Sequence, residues 1–326
     1  MTTPSTTAVI ILNWNGAEKT IECLASLQTM DYRPFEVILI DNKSTDNSVA
    51  ELIDWLKSEK SAFSMELSVN NARPAQPSNI SQQLPLYFIL SDSNLGYAGG
   101  CNIGIRHALA RNFNYIWLLN NDTIVDKTTL SEMINIANSS SDIGMVGSKI
   151  YFFLFPNLIW FSGGTLSRWF LAPNHEGFNT YDNDEFVGSH PIQFLTGCSL
   201  LVKNEVVKQI GLLHEPYFLY FEDVEWSSKA RKHGWKICVA SRSHVWHKTT
   251  LSTTPYQIYY TIRNRFLFTL RYSPMKIPLV LFHFCKGNVL PHIIKRRWVP
   301  LKASLLGFFD FCLGKFGKQK HRELIS

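Results

Sequence analysis

Long apolar runs are missing from this chain. The longest uncharged ones reach about half of the roughly 20 residues that span a bilayer, so no conventional transmembrane helix is expected. The start, Met1 to Thr7, has no basic stretch and no apolar core ahead of a cleavage site, so no signal peptide is expected either. Cysteine is sparse and scattered. Cys23, Cys101, Cys198, Cys238, Cys285 and Cys312 show no paired metal-ligand spacing, which predicts free thiols in a reducing compartment. Charged residues are 18% against 45% hydrophobic, a balance that excludes a disordered chain. A length of 326 residues allows one large domain or two modest ones.

Acidic residues are scarcest near the end. Residues 263–326 hold 13 Lys or Arg against Asp310 and Glu323, leaving 19 of the 32 basic and 24 of the 26 acidic residues for 1–262. The net +6 is therefore a body of −5 carrying a tail of +11. A nucleic-acid-binding tail would be polar, whereas this one interleaves IPLVLFHFC and SLLGFFDFCLG with KRR and KFGKQK. Apolar segments broken by Lys and Arg fit helices lying in the headgroup region of an anionic membrane. An ordinary helical subdomain with solvated charges has the same composition. Residues 256–326 are thus expected to be a helical, membrane-associating extension that binds no nucleic acid, following a main domain over 1–255.

What the chain does have is a repeated unit. AVIILNWNG (8–16), FEVILIDNKSTDNS (35–48), LYFILSDSNLGYAGG (86–100) and YIWLLNNDTIVD (115–126) each begin apolar and end polar. The lack of alternation predicts strands buried on both faces. Helix-like stretches at 17–28, 48–58 and 102–111 separate them, which predicts an α/β fold with a doubly wound, mostly parallel sheet. Ligands of such sheets sit beyond the carboxyl ends of the strands, here tipped by Asn13–Asn15, Asp41–Asn42, Asp92–Asn94 and Asn120–Asp122. The polar stretch 58–85 reads as a surface insertion, and 152–190 yields no clear reading. Further strands are expected at 144–151, 192–202 and 235–239, and a helix near 128–138.

Three stretches carry candidate chemistry. NLGYAGGCNIG (94–104) places glycines at a helix start, where backbone approaches a ligand closely and free N–H groups favour phosphate. In LLNNDT (118–123), Asp122 is a hard-oxygen ligand suited to Mg²⁺ or Mn²⁺ and Asn120 has a carbonyl oxygen to add. The alternative for Asp122 is capping the next helix. YFEDVEWSSKARKHGWKICVASRSHVWHK (220–248) sets Glu222, Asp223 and Glu225 at a helix start. The helix dipole favours an ionised Asp223 and its acidic neighbours oppose it, a balance suited to a general base at neutral pH. A solvated acidic face fits the same residues. His247 is a candidate metal ligand, and His244 reads as structural.

Taken in order, VIILNWNG, VILIDNKSTDNS, NLGYAGGCNIGI, YIWLLNNDT, TGCSLLVKNEVVKQIGLLHEPYFLYFEDVEWSSKARKHGWKI and HVWH resemble family 2 glycosyltransferases of the GT-A fold. The likeness is closest to the rhamnosyltransferase-like and galactofuranosyltransferase-like branch and covers about residues 8–250. It implies inverting transfer of a sugar, rhamnose-like or another hexose, from a nucleoside diphosphate to a hydroxyl of a cell-surface glycan or lipid-linked saccharide. It implies Asp223 as base, and Asp122 with His247 as ligands of Mn²⁺ or Mg²⁺. A nucleotide-sugar-binding half over 1–126 would hold the donor through Asn13, Asn15, Asp41, Asn94 and Asn120, and 127–255 would form the acceptor half, with Glu222 and Trp226 candidates for acceptor contact; a packed helix residue fits Trp226 equally well. The expected location is the cytoplasmic side of the cell membrane, peripherally. One departure stands out: the family's Asp-x-Asp reads Asn120-Asn121-Asp122. Two other readings compete. A sugar-1-phosphate nucleotidyltransferase would need a Gly-rich loop with Arg and Lys where this chain has NWNGAEK. A catalytically inactive nucleotide-sugar-binding partner is suggested by the neutral Asn120.

Overall fold

The computed structural model describes residues 6–69, 83–183 and 192–319. Five strands form the parallel part of one sheet: β1 (Thr7–Asn13), β2 (Phe35–Asp41), β3 (Phe63–Val69), β4 (Leu84–Leu90) and β5 (Tyr115–Asn120). Helices α1 (Ala17–Leu27), α2 (Ser48–Lys57) and α3 (Gly96–Ala110) connect them. The central strands are buried nearly throughout, as unbroken apolar runs require when helices cover both faces. Asn13 pairs with Asp41, and Leu12 with Asn120. The polar strand tips therefore align along one edge.

The second half of the sheet is mixed. Short β6 (Thr123–Val125) leads into α4 (Thr129–Ser139) and then β7 (Ile143–Phe152), β8 (Phe155–Phe161), β9 (Gly164–Leu166) and β10 (Pro173–His175). They are followed by β11 (Ser199–Lys203), α5 (Asn204–Ile210), α6 (Glu222–Lys232) and β12 (Lys236–His247). The order is β3-β4-β2-β1-β5-β11-β7-β12-β6. β11 runs antiparallel to β5 and β7, β12 runs parallel to β7, and β6 antiparallel to β12. The architecture is that of a GT-A fold.

Several elements differ from expectation. The stretch 58–85 contributes edge strand β3, so it is not merely an insertion; residues 70–82 of it lie outside the described ones. Of the expected strand 192–202 only 199–202 belong to a strand, β11, and β12 runs on to His247. Helix α3 starts at Gly96, six residues before the expected Asn102, so its glycines are helical. The reason is packing. A Cβ on Gly104 would stand 2.7 Å from Ile10 Cγ2, and one on Gly100 would stand 2.4 Å from Leu12 Cδ1. The missing side chains let α3 lie directly on β1.

The C-terminal helices are α7 (Pro255–Tyr272), α8 (Ile277–Phe284), α9 (Leu290–Ile294) and α10 (Trp298–Cys312). Thr254 and Gln257 form a reciprocal capping box at the start of α7. Ile262 and Phe266 of α7 pack with Val280 and Phe284 of α8. A π-turn over Cys285–Val289 joins α8 to α9, so Pro274–Ile294 becomes one helical stretch of 21 residues with mean hydropathy 1.3, only 11% buried. Counting uncharged runs missed this stretch, because helical continuity carries Lys286 within it.

Replacing Gly104 by Val tests the α3–β1 contact. Ile10 is stiff at χ1, so the added branches should cost about 1–3 kcal/mol and lower Tm in a thermal melt. An unchanged Tm would show that α3 does not need this close approach.

Candidate active site

The strand tips build a hydrogen-bonded edge. Asn13 is fully buried and uses both ends of its amide: Nδ2 donates to Asp41 Oδ1 (2.9 Å) and Ser44 Oγ (3.2 Å), and Oδ1 accepts from Thr20 Oγ1 (2.8 Å). Asp41, also buried, accepts from Ser44 N at 2.9 Å. These two side chains hold the 42–45 turn from below, and neither lines the pocket described next. Asn15, at φ 51°, exchanges hydrogen bonds with Thr45. Asn94 accepts from Gly96 N at 3.0 Å at the head of α3, beside Asn42. Of the five residues assigned to the donor, only Asn120 reaches the pocket described next.

That pocket, of about 390 Å³, is walled by Asn120, Asp122, His247, Glu222 and Asp223. A more open hollow of about 610 Å³, around Trp235 and Ile136, has no carboxylate in its lining. Size and chemistry therefore part company: of the two, only the smaller pocket offers carboxylates and an imidazole for acid–base or metal chemistry. Asp122 and His247 meet because β12 pairs with β6, placing His247 opposite Thr123. His247 Nε2 lies 3.2 Å from Asp122 Oδ1. Burial would raise the Asp122 carboxyl, but the charge and hydrogen bond of His247 hold it below its ordinary value. Burial likewise opposes a charge on His247, and Cys198 and Asp122 beside it outweigh burial and raise its proton affinity. Burial also raises the Cys198 thiol, so Asp122 is the anion that matters.

The pair suits a small divalent cation. Two neighbouring ligands of an octahedral ion, each about 2.1 Å from it, stand about 3 Å apart, close to the 3.2 Å observed. One carboxylate and one imidazole are too few to enclose it, and no cluster of three or more His, Cys, Asp or Glu able to hold a metal occurs among the described residues. A cation here would share its remaining positions with a ligand.

Helix α6 brings three acidic side chains inward, each in a different state. Asp223 Oδ2 accepts from Gly197 N (2.9 Å) and Oδ1 from Val224 N (2.8 Å). Burial raises its proton affinity and these amides restrain the rise. Glu222 is raised further, by burial and then by the charge of Asp223, and its Oε2 has no hydrogen-bond partner. Glu225 does not perturb Asp223, contrary to expectation. It points away, accepting from Arg271 Nη2 (3.0 Å) and the Tyr272 hydroxyl (3.1 Å). Trp226 is also corrected. It is 1% exposed and its indole donates to Gly211 O at 2.8 Å, so it is a core residue and not an acceptor contact. His244 lies against Tyr151, away from the pocket, with its Nε2 3.1 Å from Ser241 O.

Sequence reasoning missed one wall. Trp160 of β8 stands edge-on to His247 (centroids 4.7 Å) and to His175 of β10 (4.9 Å), and both Trp160 and His175 line the pocket with Phe194. Burial drives His175 down to about 4, leaving it neutral. No local pattern marks these aromatics; only the folding of β8–β10 over the β6–β12 junction does.

The profile of the family described as "Glycosyltransferase like family 2" matches residues 4–266, and the chain belongs to that family. It is similar to the low-salt glycan biosynthesis hexosyltransferase Agl10 of Haloferax volcanii, 26% identical over 244 residues, 71% of this chain and 74% of that protein. It is also similar to the galactofuranosyltransferase GlfT1 of Mycolicibacterium smegmatis, 26% identical over 142 residues, 43% of this chain and 38% of that one. Among solved structures, the mannosyltransferase of Pyrobaculum calidifontis in complex with GDP-Man and Mn²⁺ superposes with a TM-score of 0.58 at 12% identity. That alignment covers 96% of this chain and 89% of that one.

Glu225 supplies a pH test. Burial alone would raise its carboxyl, but the nearby Tyr217 hydroxyl, Lys229 and Arg271 hold it below its ordinary value. A depressed carboxyl adds stability above its unfolded value of about 4.3, and that stability is lost as the pH falls through the folded value. Glu225→Gln should therefore melt lower than the parent chain at pH 7, with the gap closing below about pH 4. A gap of constant size across the titration would refute the ionised assignment.

Proposed function

We propose that the chain is an inverting glycosyltransferase that moves a hexose, rhamnose-like or other, from a nucleoside diphosphate to a hydroxyl of a cell-surface glycan or lipid-linked saccharide. The observation that carries this reading is that one pocket is lined by Asp223, Glu222, Asp122 and His247, drawn from two distant parts of the chain. Single displacement inverts the anomeric carbon and needs one base, unlike the two-carboxylate arrangement of glycosidases. Asp223 fits that role. Two backbone amides fix its carboxylate, and burial lifts its proton affinity toward the range where it can take a proton from an attacking hydroxyl. Glu222 beside it, with Oε2 buried and unpartnered, would meet a polar group of the acceptor.

Donor contacts fall to the strand-tip edge, through Asn13, Asn15, Asp41, Asn94 and Asn120. Asp122 and His247 would hold Mn²⁺ or Mg²⁺, with Asn120 as a neutral neighbour. Such an ion, when bound, offsets the growing charge of the leaving diphosphate. The Mn²⁺ and GDP-Man of the archaeal mannosyltransferase agree with that reading. The domains proposed are a donor half over 1–126, an acceptor half over 127–255 and the extension over 256–326.

The extension would lie on the cytoplasmic face of the membrane. Met275, Phe282, Ile294 and Trp298 are each more than 60% exposed, amid Lys276, Lys286, Lys295, Arg296 and Arg297. Apolar side chains ringed by cations match an anionic headgroup layer.

Two experiments test these points. Asp223→Asn should lower nucleoside-diphosphate release from a panel of nucleotide sugars with Mn²⁺ by about 10²- to 10⁴-fold while UDP or GDP binding persists. Equal turnover would remove Asp223 as base, and binding without turnover in the parent chain would favour an inactive binder. The full chain should co-sediment with phosphatidylglycerol vesicles, less so at about 1 M salt, and Phe282→Glu with Ile294→Glu should abolish it. Failure to bind anionic vesicles would retire the membrane reading, and resistance to carbonate extraction would favour a spanning helix.

A further inference from the structure

The turn that delivers Glu222 and Asp223 is backbone that ordinary side chains avoid. Phe218 (φ 65°), Tyr220 (φ 67°) and Phe221 (φ 75°) all occupy positive φ, and none is glycine. Such conformations persist only where the surroundings over-determine them. The first restraint comes from α3. Tyr97 N donates to Phe218 O at 2.6 Å, and Gly96 permits the approach, since a Cβ there would stand 2.3 Å from the same oxygen.

The second restraint comes from the opposite side, from two residues of α7. Asn264 Nδ2 lies 3.0 Å from Tyr217 O, 2.7 Å from Leu219 O and 2.8 Å from Tyr220 O, so one amide group serves three carbonyls of the turn. Arg263 orients that amide by donating from Nε to Asn264 Oδ1 at 3.0 Å. Its Nη2 donates to Tyr217 O (2.8 Å) and Pro216 O (3.3 Å), and Nη1 to Gly317 O (2.7 Å). Both side chains are fully buried. Arg263 lies against the rings of Tyr259 and Tyr260 and forms no ion pair with a carboxylate among the described residues.

A buried guanidinium without a counter-charge is a poor way to gain stability, because an apolar side chain of similar volume avoids the desolvation. It is a good way to fix carbonyls in space, since its planar fork presents several donors at set angles. We propose that Arg263 and Asn264 are positioning residues of the transferase: they lock the 217–221 turn so that Asp223 meets the Gly197 amide and the pocket. This rests on the transferase reading given above. Neither side chain lines the pocket, so both act through the turn and not on the reacting atoms.

The test measures two quantities in the full-length chain. One is the Kd for UDP and GDP with Mn²⁺; the other is kcat for nucleoside-diphosphate release from the nucleotide-sugar panel, water serving as acceptor. Asn264→Ala should melt cooperatively, keep its nucleotide Kd within about threefold and lose at least about tenfold in kcat, the size expected when a catalytic group drifts from its geometry. Arg263→Lys, which keeps the charge but not the fork, should show a smaller loss of the same kind. Parent-like kcat in both variants, or Kd and kcat worsening in parallel, would overturn the proposal. Should Asn264→Ala fail to melt cooperatively, Arg263→Lys decides by the same two numbers. A parent chain that turns over no donor would instead overturn the transferase reading, and this proposal with it.

Discussion

The pocket depends on an irregularity in β12. Its first part pairs with β7 through Ala240 and Ser148, and pairing resumes only at His244 and Lys149, so residues 241–243 bulge out of register. A bulge bends a strand and raises its local twist. Here the bend carries Val245, Trp246 and His247 across to β6 while they stay paired with β7. Buried hydroxyls hold the bulge in place: Ser148 Oγ lies 2.8 Å from Ser243 Oγ and 2.7 Å from Ser199 Oγ, and Ser243 donates to Thr129 O at 2.9 Å. Trp117 Nε1 completes the chain by donating to Ser199 Oγ at 3.0 Å. A closed polar network of this kind specifies one register, because any slip leaves a buried hydroxyl without a partner. Without it, His247 would not face Asp122.

Around that junction the protein keeps several carboxylates in low dielectric and gives each a different environment. Glu225 has cations, Asp223 has the amides of Gly197 and Val224, and Glu222 keeps one oxygen, Oε2, without a partner. Desolvation pushes all three toward the neutral acid, and their partners sort them along that scale. Helix α6 thus carries, within one turn, a carboxylate that anchors α7 and two that face the pocket in unlike surroundings. Three acids in four positions look redundant in a string of letters, but their surroundings give each a separate task.

The legible parts of the sequence were those whose signal is local. Apolar runs such as VILI and YIWLL end in Asn or Asp because strand interior and ligand edge alternate over a few residues, and parallel pairing follows from the intervening helices. Asp122, Asp223 and His247 could be named from motif order. What stayed hidden depends on contacts between distant segments. The start of α3 was misplaced because its glycines answer to Ile10 and Leu12, not to a turn. Asn13 and Asp41 look like ligand-facing tips, and their register also places them face to face and bonds them to each other. Trp226 is indistinguishable in sequence from a stacking platform until α5 and Gly211 cover it. Trp160 and His175 had no signal, since β8–β10 are short and carry no periodicity.

The charge asymmetry of the chain misleads in an instructive way. Counted by sequence, the basic tail begins at Arg263, but its first members face inward. Arg263 and Arg265 are buried, with Arg265 Nε donating to Phe170 O at 2.9 Å, and Arg271 pairs with Glu225. Lys276 still donates to Arg168 O at 2.8 Å, so the exposed cations beyond the body begin at Lys286, while the exposed apolar side chains begin at Met275. Helix α7 therefore belongs to the catalytic body on one face and carries the surface-facing helices on the other, with Gly307 of α10 packed so closely that a Cβ would stand 2.5 Å from Tyr259 O. Because that contact is backbone against backbone, neither helix can shift without the other. The packing of α10 on α7 is therefore mechanically continuous with the turn that leads into Glu222 and Asp223.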